Sequence, residues 1–206
     1  MTTGETCIAG GGPLVTLETI RAAAAGLAEV AVRTPLVNAP ELGRLAGVKV
    51  RLKCENLQPV GAFKIRGAYT ALSRLPLAER ARGVVTHSSG NHGQAVAYAA
   101  RLLGIRAVVV MPRQAAQVKV EAVKRYGGEV VFVTDPSERD AKAVDLAAAE
   151  GLVLVPPYEH HDVIAGQGTC GLEILEQWPA VECILVPVGG GGLLAGVATA
   201  VAAVRP

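Results

Sequence analysis

The sequence predicts an α/β fold, built on parallel-rich sheets flanked by helices. Three observations predict it. From Val48 onward, apolar runs of strand length alternate with segments of helical length. The strand runs are apolar on both alternating faces, as in Ala107, Val108, Val109 and Val110, or Val130, Val131, Phe132 and Val133. A parallel sheet covered by helices on both sides requires such runs. Finally, Gly104, the Gly127–Gly128 pair and Gly151 each follow a helical segment, where a glycine stops a helix.

Taken in order, residues 1–15 form a loose arm. Its glycines, Gly10, Gly11 and Gly12, follow no strand and so make no phosphate loop. Thr16 is a good N-cap for a helix reaching about Val30, with Glu18 in its first turn. Pro35 ends the helical possibility, and 40–46 is a short helix closed by Gly47. Strands are expected at 48–54, 83–87, 106–111, 129–133, 152–155 and 182–187. Helices are expected at 65–75, 92–103, 115–126, 138–149, 168–177 and 193–203. No low-complexity linker interrupts this order, and composition marks no domain boundary.

The 206 residues are 50% apolar but only 3% aromatic, so the core must be Val, Leu, Ile and Ala. The net charge of +2, with no basic stripe interleaved with aromatics, gives nucleic-acid binding no support. No apolar run reaches membrane-span length, and residues 1–13 lack a basic end followed by an apolar stretch. A soluble, cytoplasmic protein is expected. Cys7, Cys54, Cys170 and Cys183 form no C-x-x-C pair and read as scattered thiols of a reducing compartment. His160, His161 and Asp162 sit in what reads as a Pro-flanked loop. Adjacent histidines point apart in extended chain, so no metal is expected there.

Three turns at the carboxyl ends of strands carry the chemistry, which is where open parallel sheets bind ligands. In the first, Phe63 and Lys64 stand at a helix start. Desolvation and the helix-start dipoles would lower the lysine pKa and make it a Schiff-base nucleophile; the plain alternative is a surface lysine opening a helix. Arg66 could contact phosphate or form a surface or inter-subunit salt bridge. In the second, Ser88, Ser89, Gly90, Asn91 and His92 lead into a helix. Their hydroxyls, amide and free helix-start N–H groups could hold a carboxylate, with Ser89 or Asn91 as helix caps. His92 could be a general base, although a helix-start polar role suits it better, and His87 reads as packing or solvent-facing. In the third, Gly189, Gly190, Gly191 and Gly192 precede a helix. That is more glycine than a turn needs, and suits an anion approached by backbone amides. A dinucleotide reading, with Gly190, Gly192 and Ala195 as G-x-G-x-x-A, lacks an acidic residue downstream, because no Asp or Glu follows Glu182.

QPVGAFKIRGA, HSSGNHGQAVAYAA, VIAGQGT and LVPVGGGGLLAG together resemble one family, in its order: the pyridoxal-phosphate enzymes of the tryptophan-synthase-β fold type, in the branch of threonine/serine dehydratase and serine racemase. The resemblance covers about residues 16–206. Val60 departs from it, since relatives often carry threonine there, and leaves the lysine assignment intact. The resemblance implies two domains: a small one over 80–157, inserted into a large cofactor-binding one formed by 1–79 and 158–206. It implies pyridoxal 5'-phosphate bound to Lys64, with Phe63 beside it. The phosphate would sit on Gly189, Gly190, Gly191, Gly192 and Leu193, and the ring hydroxyl oxygen on Asn91. The carboxylate of a small amino-acid substrate would lie against Ser88, Ser89, Gly90, Asn91 and His92. Lys64 and Ser89 would be the proton-transfer groups on opposite ring faces, Ser89 serving racemisation.

The implied activity is an ammonia-lyase acting on L-threonine and/or L-serine, with serine racemase or a cofactor-binding remnant as alternatives, in a homo-oligomer, expected to be a dimer. The resembled enzymes continue well past their glycine loop and carry there a serine or cysteine bonded to the pyridine nitrogen. Cys170 and Cys183 precede the loop. An incomplete large domain is therefore expected, with residues 1–206 alone poorly soluble or oligomeric and slow in turnover.

Overall fold

The computed structural model describes residues 14–206. The arm glycines and Cys7 lie outside the described residues. Helix α1 (Leu17–Leu27) opens on Thr16, whose hydroxyl accepts from Thr19 N while Thr19 Oγ1 accepts from Thr16 N, a reciprocal cap. Strand β1 (Leu36–Asn38) pairs antiparallel with β2 (Arg51–Lys53), and between them lies α2 (Pro40–Ala46), closed by Gly47 at φ +69°. A 3-10 turn (Glu55–Leu57) leads to α3 (Lys64–Arg74) and then α4 (Leu77–Arg82).

Next comes the repeating unit: β3 (Val84–His87), α5 (Asn91–Leu103), β4 (Ala107–Pro112), α6 (Gln117–Arg125), β5 (Glu129–Val133), α7 (Arg139–Glu150) and β6 (Val153–Leu154). These four strands form one parallel sheet in the order β5-β4-β3-β6, with Val85 opposite Val108 and Val109 opposite Val130. One face buries Val84 and Ala107 with α3 and α5. The other buries Val85, Val108 and Val110 with Ala143 of α7. Double coverage explains the unbroken apolar runs.

Helices α8 (His161–Gln177) and α9 (Gly192–Val204) follow. Two close helix crossings on α8 place the site. A Cβ on Gly166 would sit 2.4 Å from Arg66 O, so α3 can approach only because this position is glycine. A Cβ on Gly196 would sit 2.5 Å from Gly168 N, so α9 packs on α8 backbone to backbone. The VIAGQGT stretch is thus the spine against which both the lysine helix and the glycine-loop helix are set.

Two expectations are corrected here. His160, His161 and Asp162 form no loop: His160 Nδ1 accepts from Asp162 N as the N-cap of α8, and His161 is its first residue. Residues 182–187 form no ladder, and Leu185 is 92% exposed. A strand exists only where a neighbour completes its hydrogen bonds, and none of the described strands pairs with this segment. No helix among the described residues is long and apolar enough to cross a membrane.

Candidate active site

Lys64 is the first residue of α3, held at its root by a charge network two residues on. Arg66 is 1% exposed; its Nε lies 2.7 Å from Glu55 Oε2 and its Nη1 2.7 Å from Glu173 Oε1. Lys53 Nζ meets the other Glu173 oxygen at 2.5 Å and Thr34 O at 2.7 Å. Burial alone would raise the Glu55 pKa, but the Arg66 bonds and charge outweigh it and hold Glu55 below its usual range. Two cations and two carboxylates balance out of water. Arg66 is therefore neither a phosphate contact nor a surface or inter-subunit bridge; it fixes the first turn of α3.

Lys64 itself is half-buried, and burial lowers its pKa. Its Nζ donates to Pro157 O at 2.7 Å and stands 5.3 Å from the centre of the Phe63 ring. Phe63, Lys64, Gly189, Gly190, Gly191, Gly192 and Leu193 share one cavity of about 430 Å³ with Tyr158, Pro187 and Val188. Two turns singled out 125 residues apart in the sequence thus meet.

The glycines divide into two roles. Cβ atoms on Gly190 and Gly192 would collide with Tyr158, the former 2.1 Å from its ring. Gly189 and Gly191 face open space, with no atom within 4 Å of an added Cβ, and Gly191 takes φ +86° as the N-cap of α9. No side chain caps α9, which leaves its first-turn amides for a ligand. Tyr158 went unnoticed in the sequence. Its only signal was its position, four residues beyond the carboxyl end of β6.

The Ser88 to His92 turn lies at the carboxyl end of β3 and is not part of the lining of that cavity. Ser88 Oγ accepts from Gly90 N at 3.1 Å, and Ser89 Oγ accepts from Arg139 Nη1 at 3.4 Å. The N-cap of α5 is Gly90, without a side-chain bond, so neither Ser89 nor Asn91 caps it. Asn91 is exposed, and its Oδ1 accepts from Lys119 Nζ at 2.6 Å. His92 turns inward: it is 3% exposed, and its ring faces Val155 O at 3.3 Å through Nε2. A carbonyl only accepts, so the proton sits on Nε2. Burial, reinforced by the Lys64 charge, pushes the His92 pKa down to about 3, so the ring is neutral and poorly suited to proton transfer. His87 is neither free nor merely packed: its Nδ1 lies 2.8 Å from Asp140 Oδ1. No group of three His, Cys, Asp or Glu side chains is placed to hold a metal ion among the described residues.

These features define a class: a parallel α/β protein in which a partly desolvated lysine faces a glycine-lined helix start across one cavity. Within that class, the chain belongs to the pyridoxal-phosphate dependent enzyme family, whose model matches residues 27–206. It is 44% identical over 191 residues to a serine racemase of Oryza sativa subsp. indica, covering 92% of this chain and 56% of that one. It is 48% identical over 180 residues to the biosynthetic chloroplastic threonine dehydratase 1 of Solanum lycopersicum, covering 86% of this chain and 30% of that one. Its fold matches the structure of maize serine racemase with a TM-score of 0.90 at 43% identity, over 93% of this chain and 59% of that one. The chain thus spans between about a third and three fifths of these relatives.

The residues fit the cofactor that the family name carries. A lysine amine and an uncapped, glycine-opened helix start lie on one cavity, and the two glycines whose added side chains would enter open space leave room for a bound anion.

Proposed function

We propose that the protein is a pyridoxal-phosphate-dependent ammonia-lyase converting L-threonine and/or L-serine to a 2-oxo acid and ammonia. The observation that carries this reading is the meeting of Lys64 with residues 189–192 on one cavity. Lys64 holds the cofactor covalently through Nζ, and its lowered pKa raises the fraction of neutral, nucleophilic amine. The amides of Gly189, Gly190, Gly191, Gly192 and Leu193 receive the phosphate, where the helix start adds about half a positive charge. Asn91 bonds the ring oxygen, and Phe63 packs beside the lysine and limits water.

Ser88, Ser89, Gly90, Asn91 and His92 hold the substrate carboxylate, with hydroxyls and the uncapped amides of α5 as donors. His92 contributes its backbone and a packed wall rather than a proton, because its ring is buried and neutral. When bound, pyridoxal phosphate supplies the electron sink that makes the substrate Cα acidic. Once the substrate amine has taken its place on the cofactor, Lys64 Nζ would be free to take the Cα proton; the β-hydroxyl would leave as water, and hydrolysis would then give the 2-oxo acid and ammonia. A serine racemase reading is kept because Ser89 carries a hydroxyl beside Arg139 and the chain resembles racemases as closely as dehydratases.

The same reading takes the sheet of 80–157 as a small domain, with 1–79 and 158–206 in a larger one, and the protein as a cytoplasmic homodimer. A 2-oxo acid assay over L-threonine, L-serine and 3-hydroxyaspartate, with chiral analysis of recovered serine, tests the activity. 2-Oxo acid as the main product is expected; D-serine alone would transfer the protein to the racemases, and neither product would make it a binding remnant.

A further inference from the structure

Asn91 opens α5, and its side-chain amide has two unlike ends: the oxygen only accepts and the nitrogen only donates. Lys119, on α6, places Nζ 2.6 Å from one of those ends. An ammonium has three donors and no acceptor, so the end facing it is Oδ1. Gln94 Nε2 approaches the same oxygen at 3.5 Å. With Oδ1 engaged twice, Nδ2 is the free end, and no described residue accepts from it. The pair is 28 residues apart in sequence and is held by the packing of Ala97 on α5 against Val123 on α6. Lys119 has no carboxylate partner among the described residues, so this amide oxygen is its hydrogen-bonding partner.

We propose that Lys119 is a positioning residue: by holding Oδ1 it fixes the orientation of the Asn91 amide, so that Nδ2 is presented as a donor to the oxygen substituent of the pyridoxal ring. This rests on the reading of Asn91 as the partner of that oxygen. The two orientations of an unrestrained amide differ in which end donates, and an ionised ring oxygen accepts but cannot donate. Only the orientation that Lys119 enforces makes the bond.

The test uses the full-length holo-protein and four variants: Lys119→Met, Lys119→Arg, Asn91→Ala and Asn91→Asp. Two quantities are read, the visible absorption maximum of the bound cofactor and the first-order rate of cofactor loss on dilution. Lys119→Met and Asn91→Ala should shift the absorption alike and speed the loss about tenfold to a hundredfold, the range for one hydrogen bond to a charged group. Lys119→Arg should restore both readouts. Asn91→Asp keeps an acceptor for Lys119 but has no donor and brings a second negative charge toward the ring oxygen, so it should be perturbed at least as much as Asn91→Ala. Lys119→Met with the parent spectrum and loss rate, alongside a perturbed Asn91→Ala, would overturn the role of Lys119. Parent-like behaviour of Asn91→Asp would overturn the role of Nδ2. An unperturbed Asn91→Ala would instead remove the reading of Asn91 itself, and the proposal with it.

Discussion

His92 makes folding stability depend on pH in a way that one substitution can isolate. Its ring is buried beside Lys64 and has a folded pKa of about 3, against about 6.5 for an unfolded histidine. The folded state therefore binds fewer protons than the unfolded state between those values. The stability this confers is fully present above about pH 6.5 and is lost as pH falls toward the folded value. Between about pH 7.5 and about pH 5 the unfolded ring gains most of a proton while the folded ring stays neutral, which costs roughly 2 kcal/mol. His92→Gln keeps an N–H donor for Val155 O but does not titrate. The assay is chemical denaturation of the apoprotein at both pH values, which avoids linkage to bound cofactor. His87 and His160 are also lowered, chiefly by burial, but remain in both proteins and cancel in the difference. The parent protein should lose roughly 2 kcal/mol more than the variant over this interval. An equal loss in both would refute the buried, neutral state of His92.

Other substitutions follow from the same geometry. Gly191→Asp places a side chain at φ +86° and a negative charge at the opening of α9, so cofactor measured in the purified protein should be absent; full occupancy would reduce the loop to a simple turn. Glu173→Ala strands Arg66 and Lys53 out of water with one carboxylate between them and should cost about 3–5 kcal/mol in denaturation; a loss below about 1 kcal/mol would mean the network is effectively solvated. Ser89→Ala should abolish racemisation of L-serine while largely keeping elimination; equal loss of both would assign Ser89 to substrate binding.

Much of this was legible because it is local. Strand β5 covers the expected residues, Glu129–Val133, and α2 ends where Gly47 takes a positive φ. The lysine and glycine turns could each be read from a few residues. What failed was whatever depends on a distant neighbour. Helix α8 begins seven residues before the expected start, because Gly166 and Gly168 disfavour a helix in isolation. Their close contacts with α3 and α9 are visible only in three dimensions. Strand β1 has three residues and exists through its pairing with Leu52 and its neighbours. Conversely, residues 182–187 have strand composition and no described partner. The true role of Arg66 required Glu173, which lies 107 residues away. Tyr158 and Lys119 carried no motif; their contacts with Gly190 and Asn91 give them meaning.

The proposed function turns on Lys64 as the residue that carries pyridoxal phosphate. Borohydride reduction of the yellow holo-protein, followed by proteolysis and mass spectrometry of the labelled peptide, tests it directly. A single reduced adduct is expected, on the peptide containing Lys64. An adduct on Lys53 or Lys119 instead, with Lys64 unmodified, would contradict it.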